Sequence, residues 1–145
     1  EFAGTVPVRH LLPYWKTSNR YLFSGGSVNM RDAAVYAKEE NWSKAVELWK
    51  QTYETKKGKQ KMYAAYNTAL GYEMQDSIDT ALEWALKAQT LAREKSKTDK
   101  KETGEIHDGT ISYYIFISMY VDELEKRKEG MARLNMQMNR FDDDF

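Results

Sequence analysis

Residues 69–88 read Ala69-Leu-Gly-Tyr-Glu-Met-Gln-Asp-Ser-Ile-Asp-Thr-Ala-Leu-Glu-Trp-Ala-Leu-Lys-Ala88 and contain two helical patterns joined by a polar turn. In the first pattern, Ala69 and Tyr72 lie three residues apart, which places them on one face of a helix. Asp76-Ser77 supplies side-chain oxygens that can cap the start of the next helix. Small and apolar residues then recur at Ile78, Ala81, Ala85 and Ala88. We therefore predict a helical hairpin for this stretch.

The same pattern occurs 36 residues earlier in the chain. Ala33, Tyr36, Trp42, Ala45 and Trp49 stand where the later unit has Ala69, Tyr72, Ile78, Ala81 and Ala85. A small residue lets two helices approach closely, and a large neighbouring side chain fills the remaining gap. The sequence thus predicts two equivalent helical hairpins stacked next to each other.

The pattern resembles the tetratricopeptide repeat (TPR), which has a small residue and an aromatic residue three apart on its first helix. Two small residues seven apart follow on its second helix, and Ala81 and Ala88 match them in the later unit, whereas Thr52 replaces the last alanine in the earlier one. The resemblance covers residues 27–92 and implies an all-α fold. The period is two residues longer than the family's, and the repeat lacks its terminal proline.

The remaining sequence divides around this repeat within a single domain. Residues 1–26 hold both prolines and predict an irregular or extended arm that packs on the domain, and residues 27–95 hold the two hairpins. The polar segment 96–107 predicts a mobile charged loop, and residues 108–145 predict a long capping helix with a frayed acidic tail. The run Tyr113–Val121 is apolar on nearly every side, which predicts deep burial, and its β-branched and aromatic content leaves a buried strand as the alternative.

Composition excludes several classes of function. The 22 basic and 22 acidic residues balance, so the chain lacks the positive charge of a dedicated nucleic-acid binder, and the absence of cysteine excludes disulfides and thiolate metal sites. The longest apolar run is too short to cross a membrane. His10 and His107, both in predicted loops, lack partners at metal-ligand spacing. We therefore expect no catalytic residue, no metal and no cofactor.

The TPR resemblance implies a concave groove lined by the first helix of each unit. The residues it places there are Met30, Ala34, Lys38, Tyr63, Tyr66, Leu70, Glu73 and Met74. Only Asn67 fits the pattern that binds chaperone tails, so that specificity is not expected. A largely apolar groove suits a bound peptide or helix. The alternative is that these residues pack against the N-terminal arm or the final helix.

These features predict a non-catalytic protein–protein interaction or assembly module. Its partner would be a protein, a peptide or its own neighbouring domain, with a homodimer possible. The order of arm, repeats and final helix is similar to a TPR-like C-terminal region of Bacteroides-type cell-envelope proteins. That resemblance implies one part of a larger exported bacterial protein. The alternative is a small-ligand or carbohydrate-binding domain that uses the arm aromatics Tyr14, Trp15, Tyr21 and Phe23.

Overall fold

A computed structural model of the chain describes residues 5–11, 17–103 and 112–143. Two strands, β1 (Thr5–Leu11) and β2 (Thr17–Phe23), precede α1 (Val28–Lys38), α2 (Trp42–Thr55), α3 (Lys59–Met74), α4 (Ile78–Thr103) and α5 (Tyr113–Asp143). Each helix packs against the next one along the chain. The predicted all-α class is confirmed, with a small hairpin attached to the helical body.

The N-terminal arm is more regular than we expected. β1 and β2 pair antiparallel, from Thr5 opposite Phe23 to Leu11 opposite Thr17. Pro7 is accommodated because a two-stranded sheet has outer edges, where a missing N–H breaks no ladder. His10 therefore lies in a strand rather than in the predicted loop. Tyr14 and Trp15 lie outside the described residues.

The two helical hairpins share the same turn, hydrogen bond for hydrogen bond. The N–H groups of Asn41 and Ser77 donate to the carbonyls of Tyr36 and Tyr72, at 2.8 and 2.9 Å. The residues just before them, Glu40 and Asp76, both adopt a left-handed backbone, with φ of 60° and 62°. The 36-residue offset seen in the sequence is therefore present in the backbone geometry of both turns.

Small residues at the repeat positions bring the helices together. Ala33, Ala69, Ala45 and Ala81 are fully buried, and so are Trp49 and Ala85. At Gly71, in the middle of α3, an added methyl group would overlap Val46 Cγ2 and lie 3.2 Å from Trp49 Cζ3. The close approach of α2 to α3 thus depends on the absence of a side chain at this position.

Two predictions about the C-terminal half were wrong. α4 does not stop near residue 95 but continues to Thr103, through most of the expected charged loop, and residues 104–107 lie outside the described part. Lysine and glutamate favour helix as strongly as many apolar residues, so low hydrophobicity did not end it. The predicted start of the last helix at 108 also lies outside the described residues, and the expected frayed tail is helical as far as Asp143.

The run Tyr113–Val121 is helical, so the strand alternative was wrong. Its burial is one-sided: Ile117, Tyr120 and Val121 are buried, whereas Ile115 and Met119 are 55 % and 60 % exposed. Among the described residues, α5 packs on α4 and leaves its opposite face exposed. No helix in the described ranges carries a stretch that is long and apolar enough to span a bilayer.

The close contact at Gly71 gives a stability prediction. Gly71→Ala should lower the free energy of unfolding by about 1–3 kcal/mol because the new methyl overlaps a stiff valine side chain. Helix propensity alone favours alanine by about 1 kcal/mol. A lower free energy of unfolding would therefore indicate steric overlap, and a higher one would indicate that helix propensity dominates. Urea unfolding followed by circular dichroism measures it. Gly25→Ala is the control, since a methyl there meets no atom within 4 Å. A stabilised Gly71→Ala variant would contradict this account.

Candidate functional site: the α3 face and the exposed end of α5

The face of α3 that the sequence predicted as a groove is covered by the protein itself. Tyr63, Tyr66, Leu70 and Glu73 recur along one side of α3, and β2 and α5 lie against them. Tyr66, Leu70 and Glu73 are at most 2 % exposed. On this part of the chain the predicted surface is an internal contact, not an open groove.

Ring contacts hold the end of β2 on α3. The ring of Phe23 stacks on that of Tyr63 with centroids 4.2 Å apart and meets Tyr66 edge-on at 5.2 Å. Tyr63 also donates a hydrogen bond of 2.8 Å to the hydroxyl of Tyr113, at the start of α5. The aromatic side chains thus join β2, α3 and α5 in one cluster.

Asn67 binds the backbone of Phe23 with both ends of its amide. Its Oδ1 accepts from the Phe23 N–H at 2.9 Å, and its Nδ2 donates to the Phe23 carbonyl at 2.7 Å. Asn67 is fully buried, so these bonds satisfy a side chain that has no access to water. The α3 face therefore holds an extended strand of its own chain in the way a peptide is held, through its backbone and an anchoring ring.

A buried ionic network lies at the other end of this face. The carboxylate of Glu73 accepts from Arg20 Nε and Nη2 of β2, both at 3.0 Å, and from Arg127 Nη1 of α5 at 3.0 Å. The Tyr120 hydroxyl donates to Glu73 Oε1 at 2.9 Å. Arg127 Nη2 continues to Asp76 Oδ1 at 2.7 Å. Two guanidinium groups and two carboxylates balance, so the network carries no net charge.

Burial and the surrounding charges oppose each other at Glu73. Burial alone would raise its pKa, but the hydrogen bonds and charge of Arg20, with Tyr120 and Arg127, outweigh it and hold the pKa below the usual value. Burial and the nearby Glu73 charge raise the pKa of Tyr120 well above its usual value. Glu73 is therefore ionised and Tyr120 neutral at physiological pH, which suits a fixed structural network.

The other predicted groove residues divide between core and surface. Met30 and Ala34 of α1 are buried, Met74 is half-buried and Lys38 is exposed. The arm aromatics are also divided, because Phe23 is buried and Tyr21 is 43 % exposed. These residues do not form one continuous open surface.

Arg20, Arg127 and the role of Tyr120 were not predicted from the sequence. A signal for Arg127 was present, since it lies on the stripe Leu124, Arg127, Met131, Leu134 and Met138, spaced by three and four residues. A charged residue on an otherwise apolar stripe predicts a buried partner of opposite charge. Nothing local identified Arg20, because its partner is 53 positions away.

The last part of α5 extends beyond this packed body. From Lys128 to Arg140, Gly130 and Met131 are partly covered, and every other side chain is exposed. Leu134 and Met138 are 37 % and 58 % exposed although they continue the stripe that is buried at Leu124. We call residues 128–140 the exposed end of α5. It is an amphipathic helix with no neighbour on its apolar side among the described residues.

The described residues contain no cluster of three or more His, Asp or Glu side chains suited to a metal ion. The buried carboxylate, Glu73, is fully occupied by arginine and tyrosine donors. His107 lies outside the described residues. The geometry of Glu73 is therefore that of a fully paired buried carboxylate.

Residues 31–126 match the family described as Domain of unknown function (DUF6340). The match covers about two thirds of the 145 residues, from α1 to the middle of α5, and the chain belongs to this family. It includes Glu73, Asp76 and Tyr120 but neither Arg20 nor the exposed end of α5. No curated protein and no solved structure matches the chain.

Removing the central charge should destabilise the fold strongly. Glu73→Gln keeps the shape of the side chain but leaves two buried guanidinium groups without their carboxylate, which should cost about 3 kcal/mol or more. Chemical denaturation at pH 7 measures this loss. Glu129→Gln is the control, because Glu129 forms an exposed pair with Arg133 away from the network and should change stability by about 0.5 kcal/mol or less. Similar losses in both variants would contradict the assigned role of Glu73.

The lowered pKa of Glu73 also predicts a pH dependence. A carboxyl whose pKa is lower in the folded state stabilises fully above its unfolded pKa of about 4.3, and this contribution is lost as the pH falls through the folded value. The stability difference between wild type and Glu73→Gln should therefore be constant near neutral pH and shrink below about pH 4. Denaturation series across this range measure the difference. A difference that does not change with pH would show that the charge of Glu73 is not responsible.

Proposed function

We propose that this member of the DUF6340 family is a non-catalytic protein–protein interaction and assembly module that docks through the exposed end of α5. One observation carries the proposal: the apolar stripe buried at Leu124 continues into solvent at Met131, Leu134 and Met138. Exposed apolar surface that is continuous with a packed interface is typical of a binding site. The predicted groove is no longer the basis, because β2 and α5 already cover its α3 side.

Three apolar residues of the exposed end form a stripe that faces away from its arginines. With about 100° of rotation per residue, Met131, Leu134 and Met138 fall within one narrow stripe. The charged residues of the following turns, Arg133 and Arg140, lie on the opposite side of the helix. Asn135 and Gln137 flank the stripe and are uncharged. A spacing of three and four residues is the pattern that packs one helix along another.

We assign the docking position to a second copy of the same helix. A twofold dimer brings identical surfaces together, so charges beside the stripe would meet charges of the same sign. The uncharged flanks avoid this repulsion, and the amide side chains can form hydrogen bonds across the contact. Methionine, which adapts its shape, makes up two of the three stripe residues. The short contact predicts a weak dimer, at the low end of interface sizes.

Two further parts of the proposal, the TPR-like stacking and the location in an exported protein, rest only on resemblance to known families. TPR-like stacking would make the two hairpins a short repeat array, and the similarity to Bacteroides-type envelope proteins would place the module in a larger exported protein. Both are compatible with a role in assembly. The exposed end of α5 is the surface that such a role requires.

The stripe can be tested with two methionines that differ only in position. Met138→Lys should weaken dimerisation by about tenfold or more, since each dimer would bury two lysines in place of two methionines. Met136→Lys is the matched control: Met136 is 59 % exposed, as Met138 is at 58 %, but it lies on the opposite side of the helix. Light scattering and analytical ultracentrifugation over a concentration series measure the equilibrium.

Both substitutions lie beyond the packed body, so circular dichroism should show unchanged folding. A wild-type protein that stays monomeric over the whole series would refute the second copy as partner. A dimer that Met138→Lys and Met136→Lys weaken equally would refute the stripe as its interface.

A further inference from the structure

A group of lysines and aromatic rings lies where α2, α3 and α4 meet. It contains no residue of the exposed end of α5. We define the lysine–aromatic cluster as Lys50 and Tyr53 of α2, Lys61 and Tyr72 of α3, and Trp84 and Lys87 of α4. We propose that this cluster binds a multiply charged phosphate group of a small ligand. The proposal is independent of the proposed assembly function.

The rings form the base of the cluster. Tyr53 and Trp84 meet edge to face, with centroids 5.0 Å apart and planes at 80°. This contact joins α2 to α4, which are not consecutive in the helical stack. Tyr53, Tyr72 and Trp84 are all half-buried, so their positions are set by packing while part of each ring reaches the surface.

Three ammonium groups gather over these rings. Lys87 Nζ lies 4.1 Å from the ring centroid of Trp84 and 5.9 Å from that of Tyr53. Lys61 Nζ lies 4.7 Å from the Tyr53 centroid. Lys50 Nζ lies 4.9 Å from the Tyr72 centroid and 5.8 Å from that of Trp84. Each ring of the Tyr53–Trp84 pair is thus shared by two lysines from different helices.

The three lysines of this group contact ring faces rather than carboxylates. Within the described part of the chain, Lys50, Lys61 and Lys87 form no salt bridge, although Glu47, Glu54 and Glu83 lie nearby in sequence. The ring faces attract the ammonium groups without neutralising their charge. An anion that contacts more than one of them would gain from each charge, and this favours a ligand with two or more negative charges.

Phosphate is the anion that fits these groups best. Lysine presents a compact charge with three donors and binds phosphate oxygens well, whereas planar carboxylates favour the two-pronged geometry of arginine. The ammonium groups already lie over the ring faces, so the site does not offer free rings for stacking a sugar or a base. The neutral chain also lacks the extended positive surface that a nucleic acid requires.

Inorganic pyrophosphate is the probe for this site. We expect saturable binding by isothermal titration calorimetry and a change in tryptophan fluorescence, since the ammonium group of Lys87 lies against the indole of Trp84. The double variant Lys61→Gln, Lys87→Gln should weaken binding by about tenfold or more, because two charge-assisted contacts are lost. Thermal unfolding of the variant checks that the fold is intact.

Lys44→Gln is the matched control. Lys44 Nζ also lies over a ring, 5.5 Å from the centroid of Tyr36, but outside the cluster. It should leave pyrophosphate binding nearly unchanged. Absence of saturable binding to wild type, or equal weakening by Lys44→Gln and the double variant, would overturn the proposal.

Sedimentation with anionic phosphatidylglycerol vesicles, compared with neutral phosphatidylcholine vesicles, separates two sources of the phosphate. Binding to pyrophosphate but not to vesicles, lost in the double variant, supports a soluble phosphorylated ligand. Vesicle binding without pyrophosphate binding overturns it in favour of a lipid headgroup.

Discussion

The carboxylate of Glu73 is the constraint on which the arrangement of the chain depends. It has no access to water, so every one of its hydrogen bonds must come from protein. Its two arginine donors, Arg20 of β2 and Arg127 of α5, lie 53 and 54 positions away along the sequence. A folded state that lacks either element leaves a buried charge incompletely paired. The network therefore ties the N-terminal hairpin and the last helix to the same point of α3.

This arrangement explains how the two helical hairpins are covered. Two hairpins leave apolar faces that a longer array would bury against further units. Here β2 and the first half of α5 cover the α3 face, through the ring of Phe23, the amide of Asn67 and the arginines. Exposed apolar side chains lie elsewhere, among them Ile115, Met119 and those of the exposed end of α5. Binding surfaces are therefore expected on the outside of the array, not within its predicted groove.

The parts of the fold that the sequence predicted are those fixed by local spacing. The alanines and tyrosines of each unit recur at helical intervals, and the offset between the units locates both turns. Contacts between distant residues were not predictable in this way. Neither the pairing of β1 with β2 nor the salt bridge from Arg20 to Glu73 produces a regular spacing of residues in the sequence. The resemblance to the TPR implies eight groove residues, but a resemblance to a family does not show that this chain covers most of them itself. The charged end of α4 shows that charge alone does not indicate a loop, because lysine and glutamate favour helix.

The two helical units differ at positions where the second unit makes contacts that the first does not. Glu73 stands 36 residues after Ala37, so the second unit has a charged residue where the first has a small buried one. Gly71 stands 36 residues after Val35, so a close helix contact replaces an exposed valine. Both turns contain an acidic residue in the left-handed region, where glycine would be less strained. The Asp76 side chain also forms a salt bridge with Arg127. The repeat therefore supplies the backbone frame, and the departures from it position the elements that cap the array.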